Sequence, residues 1–292
     1  MSPPRVVERI ADLRAILDAA RADGKRVGFV PTMGFLHAGH ASLMRRARAE
    51  NDVVLVSIFV NPLQFGPSED LGAYPRDLDS DLMICAAERV DLVFHPPVEE
   101  MYPEPSTITV SVGDIAGILE GATRPGHFDG VATVVAKLFN IAGPCRAYFG
   151  EKDAQQLVIV RRLARALDFP VEVVGCPTVR EADGVALSSR NSYLSPQERA
   201  AAPVLKRALD EAASAIAAGE RDGRTVSALM AKRISAEPLA RLEYAACVGT
   251  ETLEDLDRIK RAALLAVAAW FGKARLIDNV TLGGPGAQTA ER

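Results

Sequence analysis

Short apolar runs alternate with longer amphipathic segments along the first 180 residues of the chain. Strand-like apolar runs lie at Val27–Val30, Val53–Val60, Asp91–Phe94, Ala147–Phe149 and Val171–Val174. Between the later runs, apolar residues recur at helical spacing. Buried strands that alternate with amphipathic helices are typical of βαβ units around a parallel sheet. The pattern therefore predicts an α/β fold, with a doubly wound parallel sheet over residues 1–180.

The pattern changes between Pro177 and Ser195, where a polar segment lacks periodicity and predicts a domain boundary. Ser195 then begins a run that has the order of a helix start. Serine is the N-cap, proline takes the first helical position and Glu198 completes a capping box. We expect the Ala-rich helix that starts here to end near Gly219.

The remaining pattern predicts a smaller α+β domain over residues 181–292. A further helix is expected at Thr225–Ala236. Three strands are expected at Leu242–Val248, Leu264–Trp270 and Arg275–Leu282. The C-terminal tail GGPGAQTAER is expected to be disordered.

Composition narrows the class of protein. The 292 residues are 48% hydrophobic with a mean hydropathy of +0.07, which predicts a soluble globular protein with a substantial core. The net charge is −4 and the basic residues are dispersed, so we expect no nucleic-acid partner and no membrane. The four cysteines are isolated and the N-terminus has no signal-like apolar run. Both features predict buried thiols in a cytoplasmic protein.

The segment PTMGFLHAGH, residues 31–40, carries two histidines three positions apart at the start of a predicted helix, Ala38–Glu50. It follows a buried strand, and the free N–H groups of a helix start stabilise an anion. His37 and His40 are then neighbours on one turn beside a nucleotide phosphate. Two alternatives stay open. The histidines could be a helix cap with a chance neighbour, or a zinc pair, although no nearby Cys or Glu cluster supplies further zinc ligands.

Two more polar segments follow predicted strands. Lys152, in the segment GEKD, would place a cation at the carboxyl edge of the sheet, where it suits a triphosphate; alternatively Asp153 caps the next helix and the lysine is solvated. Gln155 and Gln156 would offer neutral hydrogen-bonding groups to a polar substrate. The segment NPLQF, residues 61–65, would project the amides of Asn61 and Gln64 at the same edge as substrate-binding groups, or would be an ordinary turn.

Other polar residues are more ambiguous. The segment LSSR, residues 187–190, reads as a mobile lid over phosphates or as a polar linker. Four acids have the spacing of a calcium loop, but Leu82 replaces the required glycine, so they predict an acidic helix start, with magnesium through water as an alternative. These acids are Asp77, Asp79, Asp81 and Glu88. His95 and His127 are interpreted as loop or cap residues.

Read in order, four segments resemble the pantothenate synthetase family of the HxGH nucleotidyl-transferase superfamily. They are MGFLHAGH at 33–40, FVNPLQF at 59–65, GEKDAQQL at 150–157 and LSSRNSYLS at 187–195. The resemblance implies a Rossmann-like N-terminal domain, a smaller C-terminal domain and a homodimer. It also implies ATP, Mg²⁺ with unknown ligands, and the substrates pantoate and β-alanine. Phe35, Ala154 and Leu187 depart from the commoner family residues and spare every polar group of these segments.

The resemblance assigns a set of residues to ATP: Met33, Gly34, Phe35, Leu36, His37, Ala38, Gly39, His40, Gly150, Glu151, Lys152, Asp153, Val179, Leu187, Ser188, Ser189 and Arg190. His40 is the implied proton donor. The implied catalytic set stabilises phosphate charge and comprises His37, His40, Lys152, Ser188, Ser189 and Arg190.

The resemblance also assigns substrate contacts. Gln64 and Gln156 would hold pantoate, and Gln64 would also lie near β-alanine. An apolar wall for the gem-dimethyl group of pantoate would be formed by Val131, Val134 and Val135, which on periodicity alone predict a helix face against the sheet.

The implied reaction is the ATP-dependent condensation of pantoate with β-alanine. A pantoyl adenylate would form with release of pyrophosphate, and the amine would then displace AMP to give pantothenate, a precursor of coenzyme A. The implied enzyme is therefore a ligase that forms a C–N bond. Two other functions stay open, namely a different adenylyltransferase and a nucleotide-binding module without catalysis.

Overall fold

The computed structural model of the chain describes residues 3–66, 71–72, 74–104 and 108–283. Residues 284–292 of the tail expected to be disordered therefore lie outside the described residues. Contacts divide the chain into two compact units. The first comprises Met1–Glu151 and Gln155–Pro177, and the second comprises Lys152–Ala154 and Thr178–Arg292.

The first unit is built on a six-stranded, fully parallel sheet. Its strands are β1 Arg5–Val7, β2 Val27–Thr32, β3 Val53–Ile58, β4 Leu92–Phe94, β5 Cys145–Gly150 and β6 Val171–Cys176. Their spatial order is β1-β4-β3-β2-β5-β6. The predicted doubly wound parallel sheet is confirmed, and the order reverses between the neighbours β2 and β5. The apolar pattern missed β1, because this edge strand begins with Arg5 and buries only Val7, so it forms no apolar run.

The helices of this fold connect the parallel strands. They are α1 Ile10–Ala22, α2 Ala38–Glu50, α3 Leu78–Ala87, α4 Val98–Met101, α5 His127–Ala142 and α6 Ala154–Ala166. One face of α1 is buried through Leu13, Leu17 and Ala20, as its 3.6-residue period requires. In contrast, α5 is buried on nearly every face. A helix covered on all sides is held firmly by packing, which makes α5 a rigid support for the segments it touches.

The second unit combines three helices with a small antiparallel sheet. The helices are α7 Pro196–Ala201, α8 Val204–Ala217 and α9 Gly223–Ser235, and the strands β7 Ala240–Val248, β8 Ala263–Phe271 and β9 Ala274–Leu282 pair in chain order. The predicted capping box is present, with Ser195 Oγ accepting from the Glu198 N–H. The prediction of a single Ala-rich helix is wrong, because two helices, α7 and α8, occupy this stretch. Pro203 ends α7, because proline has no N–H to donate and its ring clashes with the preceding turn.

The cysteines are all free thiols. Cys85, Cys176 and Cys247 are buried as predicted, whereas Cys145 is only half-buried. Burial raises the pKa of Cys85 to about 12 and that of Cys247 to about 11, so neither is a ready nucleophile. Across the described ranges, no helix has the length and continuous apolar character that a bilayer crossing needs.

Candidate active site

Three of the predicted segments follow strands of the first unit, at one edge of its sheet. β2 lies between β3 and β5, and all three strands run parallel, so their carboxyl ends face the same way. Residues 33–40 follow β2, Asn61–Gln64 follows β3 by two residues, and Gly150 is the last residue of β5. The reversal of strand order between β2 and β5 marks the position at which open α/β sheets bind ligands.

The two histidines of residues 33–40 cap α2. His37 Nδ1 accepts from the Gly39 N–H at 3.0 Å, and His40 Nδ1 accepts from the His37 N–H at 3.3 Å, which together form a capping box. Because each Nδ1 is an acceptor, the neutral form of each ring carries its proton on Nε2. The cap thus orients two Nε2–H donors, so the capping and phosphate-binding interpretations are compatible.

Gly39 is required by this cap. A Cβ atom at position 39 would stand 2.7 Å from His37 Cε1 and 2.9 Å from His37 Nδ1, too close for any real side chain. The glycine of the HAGH segment therefore makes room for the first imidazole. Over the described part of the chain, no group of three or more His, Cys, Asp or Glu side chains could hold a metal ion, so the histidine pair has no set of further protein ligands for zinc there.

Asp81, at the start of α3, anchors the loop that precedes the histidines. Its carboxylate accepts from the N–H groups of Phe35 at 2.9 Å and Leu36 at 2.6 Å. The Asp81 residue is only 2% exposed, and its burial raises the pKa of the carboxyl group despite these two bonds. The predicted acidic helix start is confirmed, with Asp77 as N-cap. The engaged oxygens of Asp81 argue against the alternative in which this acid holds magnesium.

The Asn61–Gln64 turn is a 3₁₀ helix whose two amides face each other. Asn61 Nδ2 donates to Gln64 Oε1 at 3.2 Å, and Gln64 Nε2 lies 2.9 Å from the Met33 sulfur. Tyr102 donates its hydroxyl to Asn61 Oδ1 at 2.9 Å. Burial holds the pKa of that hydroxyl above its usual value, so it remains a donor. The structure therefore brings Met33, Asn61 and Gln64 together.

The other predicted substrate residues lie on helices. Val131, Val134 and Val135 are buried on α5, and Gln156 is half-buried in the first turn of α6. Gln155 does not offer its amide to a substrate, contrary to our expectation. Its Nε2 donates to the carbonyls of Ile115 and Ile118, and its Oε1 accepts from the Glu120 N–H.

Val179 and the segment Leu187–Arg190, also predicted to bind the nucleotide, lie in the second unit. The Leu187 N–H donates to the Val179 carbonyl at 2.9 Å across a short hairpin. Ser188 caps the 3₁₀ helix Ser189–Tyr193 by accepting from the Arg190 N–H. These residues thus belong to a hydrogen-bonded hairpin and helix.

Strand β9 anchors both this hairpin and the lysine. Asp278, 3% exposed, accepts two bonds from the Arg180 guanidinium, at 2.6 and 2.8 Å. The next residue, Asn279, donates to the Lys152 carbonyl at 2.8 Å. The Lys152 ammonium lies 3.8 Å from Asp153 Oδ1, at the limit of an ion pair. Sequence reasoning missed Arg180, Asp278 and Asn279, because their partners are far away in the chain.

Comparison with known proteins decides the family. The pantoate-β-alanine ligase family profile matches residues 5–281. The chain belongs to the pantoate-β-alanine ligase family. Pantothenate synthetase from Roseiflexus castenholzii is 56% identical over 278 residues, covering 95% of this chain and 99% of the relative. The corresponding protein from Geobacillus kaustophilus is 53% identical and covers 95% and 92%.

Solved structures of the pantoate-β-alanine ligase family share the fold. Pantothenate synthetase from Thermus thermophilus is 53% identical with a TM-score of 0.88, covering 94% of this chain and 98% of that protein. The ligase from Francisella tularensis, solved with β,γ-ATP and β-alanine, is 34% identical with a TM-score of 0.74, covering 94% and 97%. The predicted Rossmann-like sheet with a smaller C-terminal α+β part agrees with these structures.

Proposed function

We propose that this chain condenses pantoate with β-alanine in an ATP-dependent reaction that passes through a pantoyl adenylate. Membership of the pantoate-β-alanine ligase family supports the substrates. The observation that carries the assignment within the molecule is the double-histidine cap of α2, in the segment that follows β2, where both Nδ1 atoms accept backbone hydrogen bonds and each neutral ring therefore carries its proton on Nε2.

The chemistry requires positioning and charge stabilisation and no enzyme nucleophile. A pantoate carboxylate oxygen attacks the α-phosphorus of ATP, and the bond to the bridging oxygen breaks as pyrophosphate leaves. The β-alanine nitrogen then attacks the acyl carbon, loses a proton and expels AMP. We assign phosphate stabilisation to His37, His40, Lys152, Arg190 and the hydroxyls of Ser188 and Ser189, with His40 as the proton donor.

Pantoate is assigned to the first unit. Gln64 and Gln156 are neutral amides that can accept from its hydroxyls and donate to its oxygens, and Val131, Val134 and Val135 provide apolar surface for its methyl groups. Asn61, predicted from the sequence to bind substrate, instead supports Gln64, because its amide is bonded to Gln64, Gly130 and Tyr102. The residues we assign to ATP are Met33–His40, Gly150–Asp153, Val179 and Leu187–Arg190.

We further propose Mg²⁺ as the counter-ion of ATP. Mg²⁺ keeps several waters and binds phosphate oxygens with one or two carboxylates, which suits a protein whose described residues contain no acidic cage. Asp153 is the exposed carboxylate of the proposed nucleotide set. When bound, the ion neutralises phosphate charge.

Two further properties are proposed. Four free thiols support a cytoplasmic location. The family resemblance supports a homodimer, and sedimentation of the purified protein tests this oligomeric state.

An omission assay tests the proposed reaction. With ATP, Mg²⁺, pantoate and β-alanine, AMP and pyrophosphate should form in equal amounts. Without β-alanine, labelled pyrophosphate should still exchange into ATP in a pantoate-dependent manner. Exchange driven by another carboxylic acid but not by pantoate would favour a different adenylyltransferase. ATP binding without any pyrophosphate release would instead favour a module without catalysis.

A further inference from the structure

His127 links the start of α5 to the backbone of the Asn61–Gln64 turn. Its Nδ1 lies 2.9 Å from the Gln64 carbonyl oxygen, and its Nε2 lies 2.9 Å from Arg124 Nη1. A carbonyl can only accept and a guanidinium can only donate. Nδ1 therefore carries the proton and Nε2 accepts, which defines a neutral imidazole with one tautomer. The His127 residue is only 9% exposed, so this bond is shielded from water.

The sequence predicts a loop or cap residue at position 127, but His127 is the first residue of α5. Gly126 occupies the N-cap position of α5, with no side-chain capping bond. The ring of His127 instead reaches 63 positions back along the chain to Gln64. Besides its local bond with Arg124, the imidazole therefore holds a backbone group that lies outside α5.

A second contact from α5 holds the other end of the turn, at Asn61. The Gly130 carbonyl accepts from Asn61 Nδ2 at 3.1 Å, and this amide also donates to Gln64 Oε1. The approach is so close that a Cβ atom at position 130 would overlap the Leu63 carbonyl and stand 2.7 Å from Gln64 Cα. A glycine inside a helix costs stability, and here the close approach to the turn requires it.

We propose that His127 is a positioning residue for Gln64, which acts through its Nδ1–H bond to the Gln64 carbonyl and so sets where the Gln64 amide meets pantoate. The inference rests on the proposed function. His127 itself touches no reacting atom. By fixing the backbone from one side while Asn61 fixes the side chain from the other, the start of α5 determines the orientation of a 7%-exposed amide.

Two substitutions at position 127 separate the two bonds of the imidazole. In His127→Asn, the side-chain Nδ2 takes the place of Nδ1 and can still donate to the Gln64 carbonyl. In His127→Gln, the side-chain Oε1 reaches the place of Nε2 and can still accept from Arg124, but the bond to Gln64 is lost. The two variants are both neutral amides, so they are matched in charge and polarity.

The readout is the KM for each substrate in pantoate-dependent ATP–pyrophosphate exchange. We expect the pantoate KM of His127→Asn to stay close to wild type. For His127→Gln we expect a rise of roughly 10- to 100-fold, the scale of a misplaced substrate contact. The ATP KM should remain unchanged in both variants. A purely structural role would instead move both variants alike, together with the ATP KM.

A glycine pair provides an independent variant if His127→Gln fails to fold. Gly130→Ala should displace the turn and raise the pantoate KM, whereas Gly117→Ala, where no atom lies within 4 Å of the added Cβ, should leave it unchanged. Equal pantoate KM values for His127→Asn and His127→Gln would overturn the inference, as would a normal value for Gly130→Ala. A wild type with no pantoate-dependent exchange would refute the proposed function itself, which is a distinguishable result.

Discussion

Replacing Asp81 with Asn should loosen the loop that leads into the double-histidine cap. Asp81 accepts from the N–H groups of Phe35 and Leu36. Asn keeps one oxygen and turns the other into a donor, so one of these N–H groups then faces another donor. A buried donor without its acceptor costs about 1–3 kcal/mol. Because Asn also removes a carboxyl whose burial raises its pKa, we expect a net loss of about 1–2 kcal/mol in unfolding free energy.

The loop that contains Gly34 and Phe35 has a strained backbone, which favours movement once a bond to Asp81 is lost. Phe35 has a φ of 51° and Gly34 a φ of 84°, and the left-handed region costs a non-glycine residue roughly 1 kcal/mol. Without the second bond from Asp81, Phe35 can relax and carry the N-terminus of α2 with it. If residues 33–40 bind ATP as proposed, a loss of about 1.4 kcal/mol raises the ATP KM about tenfold.

Urea unfolding and exchange kinetics measure the two effects. Asp79→Asn is the matched control, because it makes the same chemical change two positions earlier, at an exposed residue of the same helix turn. The control should stay within about 0.5 kcal/mol of wild type, as surface substitutions do, and should keep its ATP KM. Equal stability and equal ATP KM for the two variants would refute the anchoring role of Asp81.

Three further substitutions test other parts of the account. Lys152→Ala should reduce pantoate-dependent exchange by about 10²–10³ without a matching loss of stability, and near-normal exchange would contradict its role. Asp278→Ala leaves the Arg180 guanidinium without its paired carboxylate and should cost about 3 kcal/mol in urea unfolding; an unchanged midpoint would be inconsistent with the β9 anchor. The hydrogen bond from Arg46 holds the pKa of Glu50 below its ordinary value of 4.5, so the stabilisation is present above that pH and lost as the pH falls through the lowered pKa. The stability advantage of wild type over Glu50→Gln should therefore shrink in acid, and an advantage that grows there would contradict this sign.

Local sequence patterns predicted those helices and strands whose ends are determined by neighbouring residues in the chain. α2 spans Ala38–Glu50 as expected, because a polar start, helical spacing and a following strand all fall within one stretch. The predicted strands of the small sheet begin and end within two residues of the observed ones. Periodicity could not register the break at Pro203, since apolar residues continue on both sides of it. The three-residue β1 depends on its neighbour β4 for its existence.

In the candidate site, too, local sequence patterns identified some residues and missed those that act through distant contacts. Segments rich in polar residues after a strand identified the double-histidine cap, the Asn61–Gln64 turn and Lys152. The residues that hold these segments went unrecognised, because Asp81, His127 and Asp278 each contact a partner at least 45 positions away. One signal was available. Gly130 interrupts an apolar helix, and such a glycine indicates close approach of another backbone.

Oxygen transfer from pantoate to AMP tests the adenylate mechanism most directly. Pantoate labelled with ¹⁸O in both carboxylate oxygens is incubated with the enzyme, ATP, Mg²⁺ and β-alanine, and the products are analysed by mass spectrometry. Attack of the carboxylate on the α-phosphorus leaves one labelled oxygen in AMP and one in the amide carbonyl of pantothenate. Each AMP molecule formed should therefore carry one ¹⁸O. Unlabelled AMP, or label in pyrophosphate or phosphate, would contradict it.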